Sequence, residues 1–361
     1  MTDRPDVLVL GAGGALGERW MHGVLAGLAH ASGIDFRETE LLVGTSAGAI
    51  VAAGLLAGRA PEGPDDGGAP LLPPGPEPVE AVVEETGGEQ AGGERAGGEE
   101  ASGDPALGGE APDQPALGGE APGEPAGGGV TGALPRRARA LLGGVPRGAA
   151  KLVRTAGAPL APYALAATRP PGALLRASVL GRIETPRATL DELGRRIARD
   201  GLRFDGRLRI VCVDRASGRR VVFGAPGAPT ATVAQAVQAS CSVPWLYRPV
   251  EIDGREYVDG GLWSPTSIDV VPAGRETQVL CLNPTGSAAG DAAPHGVIRT
   301  TSRSAAALEA LTLRRRGAEV TIVAPDRAAA AVLAAPPGDD DHAAHAVSAG
   351  FRQGLALARG G

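Results

Sequence analysis

Short apolar runs alternate with amphipathic stretches in two separated parts of the chain. The apolar runs have the length of buried strands, whereas the amphipathic stretches repeat with the period of a helix. Strands are predicted at 7–10, 41–43, 208–213, 220–223, 278–282 and 319–323, and helices at 20–28, 49–57, 189–197, 232–239, 304–313 and 345–359. Strands that alternate with helices predict an α/β fold with a mainly parallel, helix-covered sheet.

Residues 61–134 interrupt this pattern with a low-complexity stretch of Gly, Pro, Glu and Ala. The stretch contains sixteen Asp or Glu residues and one basic residue, Arg95. It offers too little apolar surface to offset the entropy lost on ordering, so we expect a disordered acidic insertion. The predicted organisation is an N-terminal part of the main domain (1–60), the insertion (61–134), a basic cap or lid (135–188) and a C-terminal part of the main domain (189–361).

The cap segment combines basic and apolar residues, with thirteen Lys or Arg between 135 and 199. One interpretation is that residues 135–180 make peripheral contact with an anionic membrane through short amphipathic pieces. The alternative is a set of ordinary helices with solvated arginines. A further hypothesis is that the acidic insertion folds back onto this basic block and masks it.

Gly44-Thr45-Ser46-Ala47-Gly48 reads G-x-S-x-G between a predicted strand and a predicted helix. This setting is typical of a nucleophile elbow, in which Gly44 and Gly48 permit a sharp turn and Ser46 is exposed at its tip. The helix amino terminus behind the serine favours developing negative charge. The alternative is a glycine-rich turn that only caps the helix.

A second glycine-rich loop, residues 11–17, follows the first predicted strand. Its backbone N–H groups can line an oxyanion hole if the loop lies near a nucleophilic serine. The same loop partly imitates a dinucleotide-binding fingerprint. However, Gly17 falls one residue late for that fingerprint, and the second strand runs into Ser46 instead of ending at an acidic residue.

Val258-Asp259-Gly260-Gly261 ends a predicted hairpin whose turn is Asp253-Gly254. Asp259 is therefore expected at a strand end, where Gly260 and Gly261 allow another segment to approach closely. Taken alone, an Asp-Gly-Gly sequence is more often a simple turn.

The glycine loop, the Gly44–Gly48 motif and the Asp-Gly-Gly segment together resemble the patatin-like phospholipase family. Residues 239–244, which precede the hairpin, add to this resemblance. The resemblance implies a three-layer α/β/α fold, with Ser46 as nucleophile and Asp259 as its base in a Ser-Asp dyad. It also implies an oxyanion hole formed by the amides of Gly13, Gly14 and Ala15. It implies no cofactor and no metal, and a lipid or ester as substrate.

The glycine loop departs from the family pattern at Leu16, where a basic residue is usual, and we interpret Arg19 as an exposed helical arginine. The five histidines, which lie in no motif suited to a catalytic triad, are His22, His30, His295, His342 and His345. The acidic stretch 339–345 is interpreted as a solvated helix start.

Composition gives further expectations about the core, the cysteines and the location of the protein. Aromatic residues make up 3% of the chain and the net charge is −6, so the core is expected to consist of Ala, Val, Leu and Ile. The three cysteines, Cys212, Cys241 and Cys281, show no disulfide or zinc spacing and are expected to be reduced and buried. We expect no signal peptide, no membrane span and no nucleic-acid partner, and a cytoplasmic protein that can act peripherally at the inner membrane surface. The sequence leaves the oligomeric state open.

The function expected from these features is serine-dependent lipid acyl hydrolysis, phospholipase A-like or esterase-like, through an acyl-enzyme. Two alternatives remain open at this point. One is a catalytically silent patatin-like scaffold that binds a lipid or a partner, and the other is a dinucleotide-binding oxidoreductase.

Overall fold

Eight strands form one sheet in the part of the chain that the computed structural model describes. That part comprises residues 3–66, 68, 70–73, 172–287, 295–334 and 340–360, which all fall within one unit of the chain. The strands are β1 (Val7–Leu10), β2 (Leu41–Thr45), β3 (Leu208–Asp214), β4 (Arg220–Phe223), β5 (Val250–Ile252), β6 (Arg255–Asp259), β7 (Gln278–Leu282) and β8 (Glu319–Val323).

The helices connect and flank these strands. They are α1 (Gly14–Ser32), α2 (Ala47–Leu56), α3 (Ala173–Leu180), α4 (Asp191–Arg199), α5 (Val233–Cys241), α6 (His295–Arg314), α7 (Arg327–Leu333) and α8 (Asp340–Arg359). Three short 3-10 helices span Phe36–Glu38, Gly260–Leu262 and Ile268–Val270.

The sheet has the strand order β5-β6-β3-β2-β1-β7-β8, and β4 also pairs with β3. The five strands from β3 to β8 in this order are parallel, whereas β4, β5 and β6 form antiparallel pairs. The parallel strands are thus the centre of the sheet. This arrangement confirms the predicted α/β fold with a mainly parallel sheet.

Helices cover both faces of the sheet, as expected for a three-layer α/β/α fold. Successive residues of a strand point to opposite faces. Leu8 and Leu42 therefore pack in the core that also contains residues of α1, α2 and α5, whereas Val9 and Val43 pack with residues of α6. Because both faces are buried, β1 and β2 read as continuous apolar runs rather than alternating ones.

Helices α1 and α8 approach each other so closely that their backbones are in contact. A β-carbon at Gly23 or Gly27 would overlap a backbone carbonyl of α8, and one at Gly350 or Gly354 would overlap a backbone carbonyl of α1. Trp20 Nε1 adds a buried hydrogen bond of 3.1 Å to Gln353 Oε1. Helix α8 therefore supports α1 along much of its length.

The start of the insertion differs from the sequence prediction. Glu18 Oε1 and Oε2 accept hydrogen bonds from the backbone N–H groups of Leu71 (2.8 Å) and Leu72 (3.1 Å), and Leu72 is buried. The described residues between 61 and 73 are thus attached to α1, because they supply apolar and hydrogen-bonding groups that α1 can use. The rest of the predicted disordered insertion lies outside the described residues.

The predicted cap also divides into two parts. Residues 135–171 lie outside the described residues, including most of the segment proposed to contact a membrane. Within 172–188, helix α3 packs through Leu180 against Val213, Val258 and Leu262, whereas Leu174 is exposed. Among the described residues, no helix is long and apolar enough to span a membrane.

Candidate active site

Ser46 is the single residue between the end of β2 and the start of α2. Its backbone angles are φ 54° and ψ −124°, in a region that residues with a side chain rarely adopt. Such strain persists only where the surrounding structure enforces it, and it is concentrated at functional sites. The conformation is that of a sharp strand-to-helix elbow.

The glycines on either side of Ser46 are required by close packing. A β-carbon at Gly44 would lie 2.5 Å from Ala49 Cα, and one at Gly48 would overlap the carbonyl oxygen of Leu10. The first turn of α2 therefore lies directly against the end of β1. Both glycines occupy the positions predicted for a nucleophile elbow.

Asp259 is the last residue of β6, and its carboxylate faces Ser46. Asp259 Oδ2 accepts a hydrogen bond of 2.7 Å from Ser46 Oγ, and Oδ1 accepts one of 2.6 Å from the N–H of Gly261. Both side chains are buried, with exposed fractions of 5% for Ser46 and 3% for Asp259. The structure thus brings together two residues that are 213 positions apart in the sequence.

Burial raises the pKa of Asp259 to about 6, although the hydrogen bonds from Ser46 and Gly261 act in the opposite direction. Above that pH the carboxylate can accept a proton from the serine hydroxyl. A base whose pKa lies near neutral pH can also return the proton to a leaving group. The pair therefore has the geometry and the proton affinity for nucleophilic catalysis.

Gly260 and Gly261 follow Asp259 in a 3-10 turn that lies against neighbouring segments. A β-carbon at Gly260 would overlap the carbonyl oxygen of Val211, and one at Gly261 would lie 2.9 Å from Asp259 Oδ1 and 3.5 Å from Ala12 Cβ. The absence of a side chain at Gly260 allows the turn to lie against β3, and its absence at Gly261 allows the turn to approach the glycine loop after β1.

Gly13, Gly14 and Ala15 lie at the amino terminus of α1. The first N–H groups of a helix have no partner within the helix, and Gly13, at the N-cap, has no side chain to provide one. Gly14 has a φ of 62°, and a β-carbon there would face open space. This position at a helix amino terminus is compatible with an oxyanion hole, which stays a prediction.

Backbone hydrogen bonds attach the start of the glycine loop to the segments that contain Leu282 and Pro265. The N–H of Gly11 donates to the carbonyl of Leu282 (2.9 Å), and the N–H of Ala12 donates to the carbonyl of Pro265 (2.8 Å). The loop, the elbow and the Asp-Gly-Gly turn all come together at one edge of the sheet, near the carboxyl ends of β1 and β2. Active sites of parallel sheets are commonly found at this edge.

Ser240 is a polar residue of the site that the sequence analysis did not single out. Its buried hydroxyl accepts a hydrogen bond of 2.9 Å from the N–H of Ser46 and donates one of 2.7 Å to the carbonyl of Val211. The residue belongs to the 239–244 segment that contributes to the family resemblance. That segment was the available signal, but its sequence does not indicate which hydroxyl contacts the elbow.

Arg19 is buried, which corrects the prediction of an exposed helical arginine. It forms an ion pair with Glu62, whose backbone N–H donates a hydrogen bond of 3.2 Å to His22 Nδ1. Burial raises the pKa of neighbouring Glu18 to about 7 and lowers the pKa of His22 to about 4. The segment that contains Glu62 therefore packs against α1 at Arg19 and His22.

The described residues contain no group of three or more His, Cys, Asp or Glu side chains that could hold a metal ion. Cys212, Cys241 and Cys281 are buried and not disulfide-bonded, as expected. Burial raises the pKa of each of these thiols well above its ordinary value. The thiols are therefore suited to packing rather than to nucleophilic chemistry.

Residues 146–272 match the family model described as patatin-like phospholipase. This stretch is therefore similar to patatin-like phospholipases. The match includes Asp259 and Ser240 but not Ser46, which follows β2, a strand that pairs with β3 inside the matched residues.

Among solved structures, the chain is similar to VipD from Legionella pneumophila, with 13% sequence identity and a TM-score of 0.43. The similarity covers 99% of this chain and 67% of the VipD chain. No curated protein matches the chain in sequence.

Proposed function

We propose that the protein is a serine-dependent lipid acyl hydrolase, phospholipase A-like or esterase-like, that uses Ser46 and Asp259 as a catalytic dyad without a cofactor. The observation that carries this proposal is the 2.7 Å hydrogen bond from Ser46 Oγ to Asp259 Oδ2. It joins a strained elbow serine to a buried carboxylate. The patatin-like family match supports the lipid as substrate.

In the proposed reaction, Asp259 accepts the hydroxyl proton while Ser46 Oγ attacks the acyl carbonyl carbon. The N–H groups of Gly13, Gly14 and Ala15 would bind the oxyanion of the tetrahedral intermediate. The intermediate collapses to an acyl-enzyme, and the alcohol leaves with the proton that Asp259 returns. Water then attacks the acyl-enzyme with Asp259 as base, which releases the fatty acid and restores Ser46.

The test is hydrolysis of p-nitrophenyl esters from short to long acyl chains, together with labelling by a serine-reactive fluorophosphonate. We expect wild-type activity to rise with chain length, and Ser46→Ala and Asp259→Asn to lose it. Labelling should disappear in Ser46→Ala. If wild type matches Ser46→Ala on every ester and is not labelled, the hydrolase proposal is wrong and the scaffold alternative replaces it.

We also propose that residues 135–180 bind an anionic membrane surface, on the cytoplasmic side, where the lipid substrate lies. The basic and apolar composition of the segment supports this proposal. The test is co-sedimentation with anionic and with neutral vesicles, using wild type and a variant with Arg136, Arg137, Arg139 and Arg147 changed to Gln. Equal binding of both proteins to anionic vesicles would contradict it.

A further inference from the structure

The carboxyl end of α5 contacts both halves of the proposed dyad. On one side, Ser240 Oγ accepts a hydrogen bond from the backbone N–H of Ser46 (2.9 Å). On the other side, the carbonyl of Ser242 accepts one from the backbone N–H of Asp259 (3.0 Å). One short stretch, residues 240–242, therefore binds the main chain of both the nucleophile and its base.

The same stretch is fixed to the strand that lies between β2 and β6. Ser240 Oγ donates a hydrogen bond of 2.7 Å to the carbonyl of Val211 in β3. Val211 is paired with Thr45, the residue before the nucleophile, and the next residue of β3 is paired with Asp259. The Ser240 hydroxyl thus connects α5, the elbow and the central strand at one point.

These contacts act on a backbone that is strained at Ser46, where φ is 54°. A strained conformation persists only if its surroundings hold it. Ser240 is fully buried. Without its hydroxyl, the N–H of Ser46 and the carbonyl of Val211 would each lose a buried hydrogen-bond partner, and the elbow could relax away from Asp259.

We propose that residues 240–242 form a clamp that sets the distance between Ser46 Oγ and Asp259 Oδ2, with Ser240 as the positioning residue. This inference rests on the proposed dyad. Ser240 touches neither the substrate nor the reacting atoms, because its hydroxyl contacts the backbone of Ser46 and not Oγ. Its effect on catalysis therefore passes entirely through the geometry of the elbow.

The test compares Ser240→Ala with Thr232→Ala, a control in the same helix. Thr232 forms a capping box with Gln235 at the opposite end of α5, so its loss should lower Tm by about 2–4 °C without altering the dyad. Ser240→Ala should lower kcat for p-nitrophenyl butyrate, and the rate of fluorophosphonate labelling per folded molecule, by about 10- to 100-fold. KM should change little, because substrate binding does not use the clamp.

Two further measurements separate the clamp from general destabilisation. Amide hydrogen exchange in the peptide that contains Ser46 should accelerate in Ser240→Ala and stay unchanged in Thr232→Ala. Ser240→Cys, which keeps a weaker donor and acceptor, should give a kcat between those of wild type and Ser240→Ala.

The proposal is overturned if folded Ser240→Ala is labelled at the wild-type rate, or if Thr232→Ala loses as much kcat as Ser240→Ala. A wild-type protein that is neither labelled nor active refutes the proposed function, and the catalytic role of the clamp falls with it. In that case, unchanged exchange at Ser46 in Ser240→Ala would refute the hydrogen-bond connection as well.

Discussion

At the residue scale, the proposed reaction depends on Asp259, a carboxylate that is buried away from water. Asp259 is 3% exposed, and burial disfavours its charged form. The hydrogen bonds from Ser46 and Gly261 offset only part of that effect, so the pKa stays raised at about 6. The side chain is therefore a stronger base than an exposed aspartate.

The pH dependence of acylation follows from this pKa. Only the carboxylate form of Asp259 can accept the Ser46 proton, so the second-order rate of fluorophosphonate labelling should be level above about pH 7. Below pH 6 the rate should fall by about tenfold per pH unit. The measurement is the labelling rate from pH 4.5 to 8.5, with Tm recorded at each pH to exclude unfolding. A rate that stays level down to pH 4.5 would contradict the assignment of Asp259 as base.

The amide at Gly14 gives a second prediction, with a control at the opposite end of α1, the C-cap residue Gly33. Gly14 and Gly33 both have positive φ values (62° and 72°), and a β-carbon would meet nothing at either position. Changing either residue to Ala should therefore cost a similar 1–2 kcal/mol of stability. Only Gly14→Ala should also lower kcat, by about 10- to 1000-fold, because it disturbs the oxyanion amides.

Thermal unfolding and p-nitrophenyl ester kinetics measure the two effects separately. If Gly33→Ala lowered kcat as much as Gly14→Ala, loss of helix stability rather than of oxyanion binding would explain the result.

Candidate site residues can be predicted from the sequence where a short local motif specifies the turn that they occupy. Ser46 and Asp259 lie in short motifs with flanking glycines, and those motifs specify the turn each residue occupies. Ser240 and Arg19 were not predictable in this way. The hydroxyl of Ser240 contacts a residue 194 positions away, and buried Arg19 forms an ion pair with Glu62, 43 positions away.

At the scale of elements, the support of α1 matters to the proposed mechanism, because the amino terminus of this helix carries the amides of the proposed oxyanion hole. The glycines of α1 and α8 allow backbone contact along that helix pair. Trp20 and Gln353 add a buried hydrogen bond between the helices. Displacement of α8 would therefore shift the glycine loop.

Gly27→Ala tests this packing. The added β-carbon would overlap the carbonyl of Phe351 in α8, and two helix backbones must separate to accommodate it. Unfolding free energy should fall by about 1–3 kcal/mol. The measurement is urea denaturation, compared with Ala31→Ser on the exposed side of α1. Equal stability of the two variants would show that the helix pair can relax without cost.

The strands were predicted more accurately than the helices. Four of them, β1, β4, β7 and β8, have the predicted bounds, because buried strands of a parallel sheet read as short apolar runs between breakers. Helix α1 begins at Gly14 rather than at Trp20, because Gly14 and Gly17 look like loop residues in the sequence, and the packing of Gly17 against Pro284 is visible only in the fold. Helix α3 was not predicted as a separate element, since the core that buries its Leu180 is created only by the fold.

At the scale of the whole molecule, the chain between α2 and residue 73 is joined to α1 by buried polar groups. Glu18 accepts two backbone hydrogen bonds there, and its pKa is raised to about 7, mainly by burial. Because the folded state holds this proton more tightly than the unfolded state, the contribution of Glu18 to stability decreases as pH rises from about 4.5 to 7.

Glu18→Gln should remove this pH-dependent loss of stability, because glutamine does not ionise. The unfolding free energy of the variant minus that of wild type should increase by about 2–3 kcal/mol from pH 4.5 to pH 8. Buried His22, with a pKa lowered to about 4, contributes the opposite slope to both proteins and cancels in the comparison. The measurement is chemical denaturation of both proteins at each pH, and parallel stability curves would contradict the prediction.

The strand order also bears on how the protein is made. Strands β1 and β2 are synthesised first, yet in the finished sheet they lie between β7 and β3. A nascent chain therefore carries two central strands with both outer edges unpaired, a state that invites pairing with other chains. The elbow serine emerges from the ribosome long before Asp259, so no growing chain can hydrolyse an ester by the proposed dyad until most of the protein has been translated.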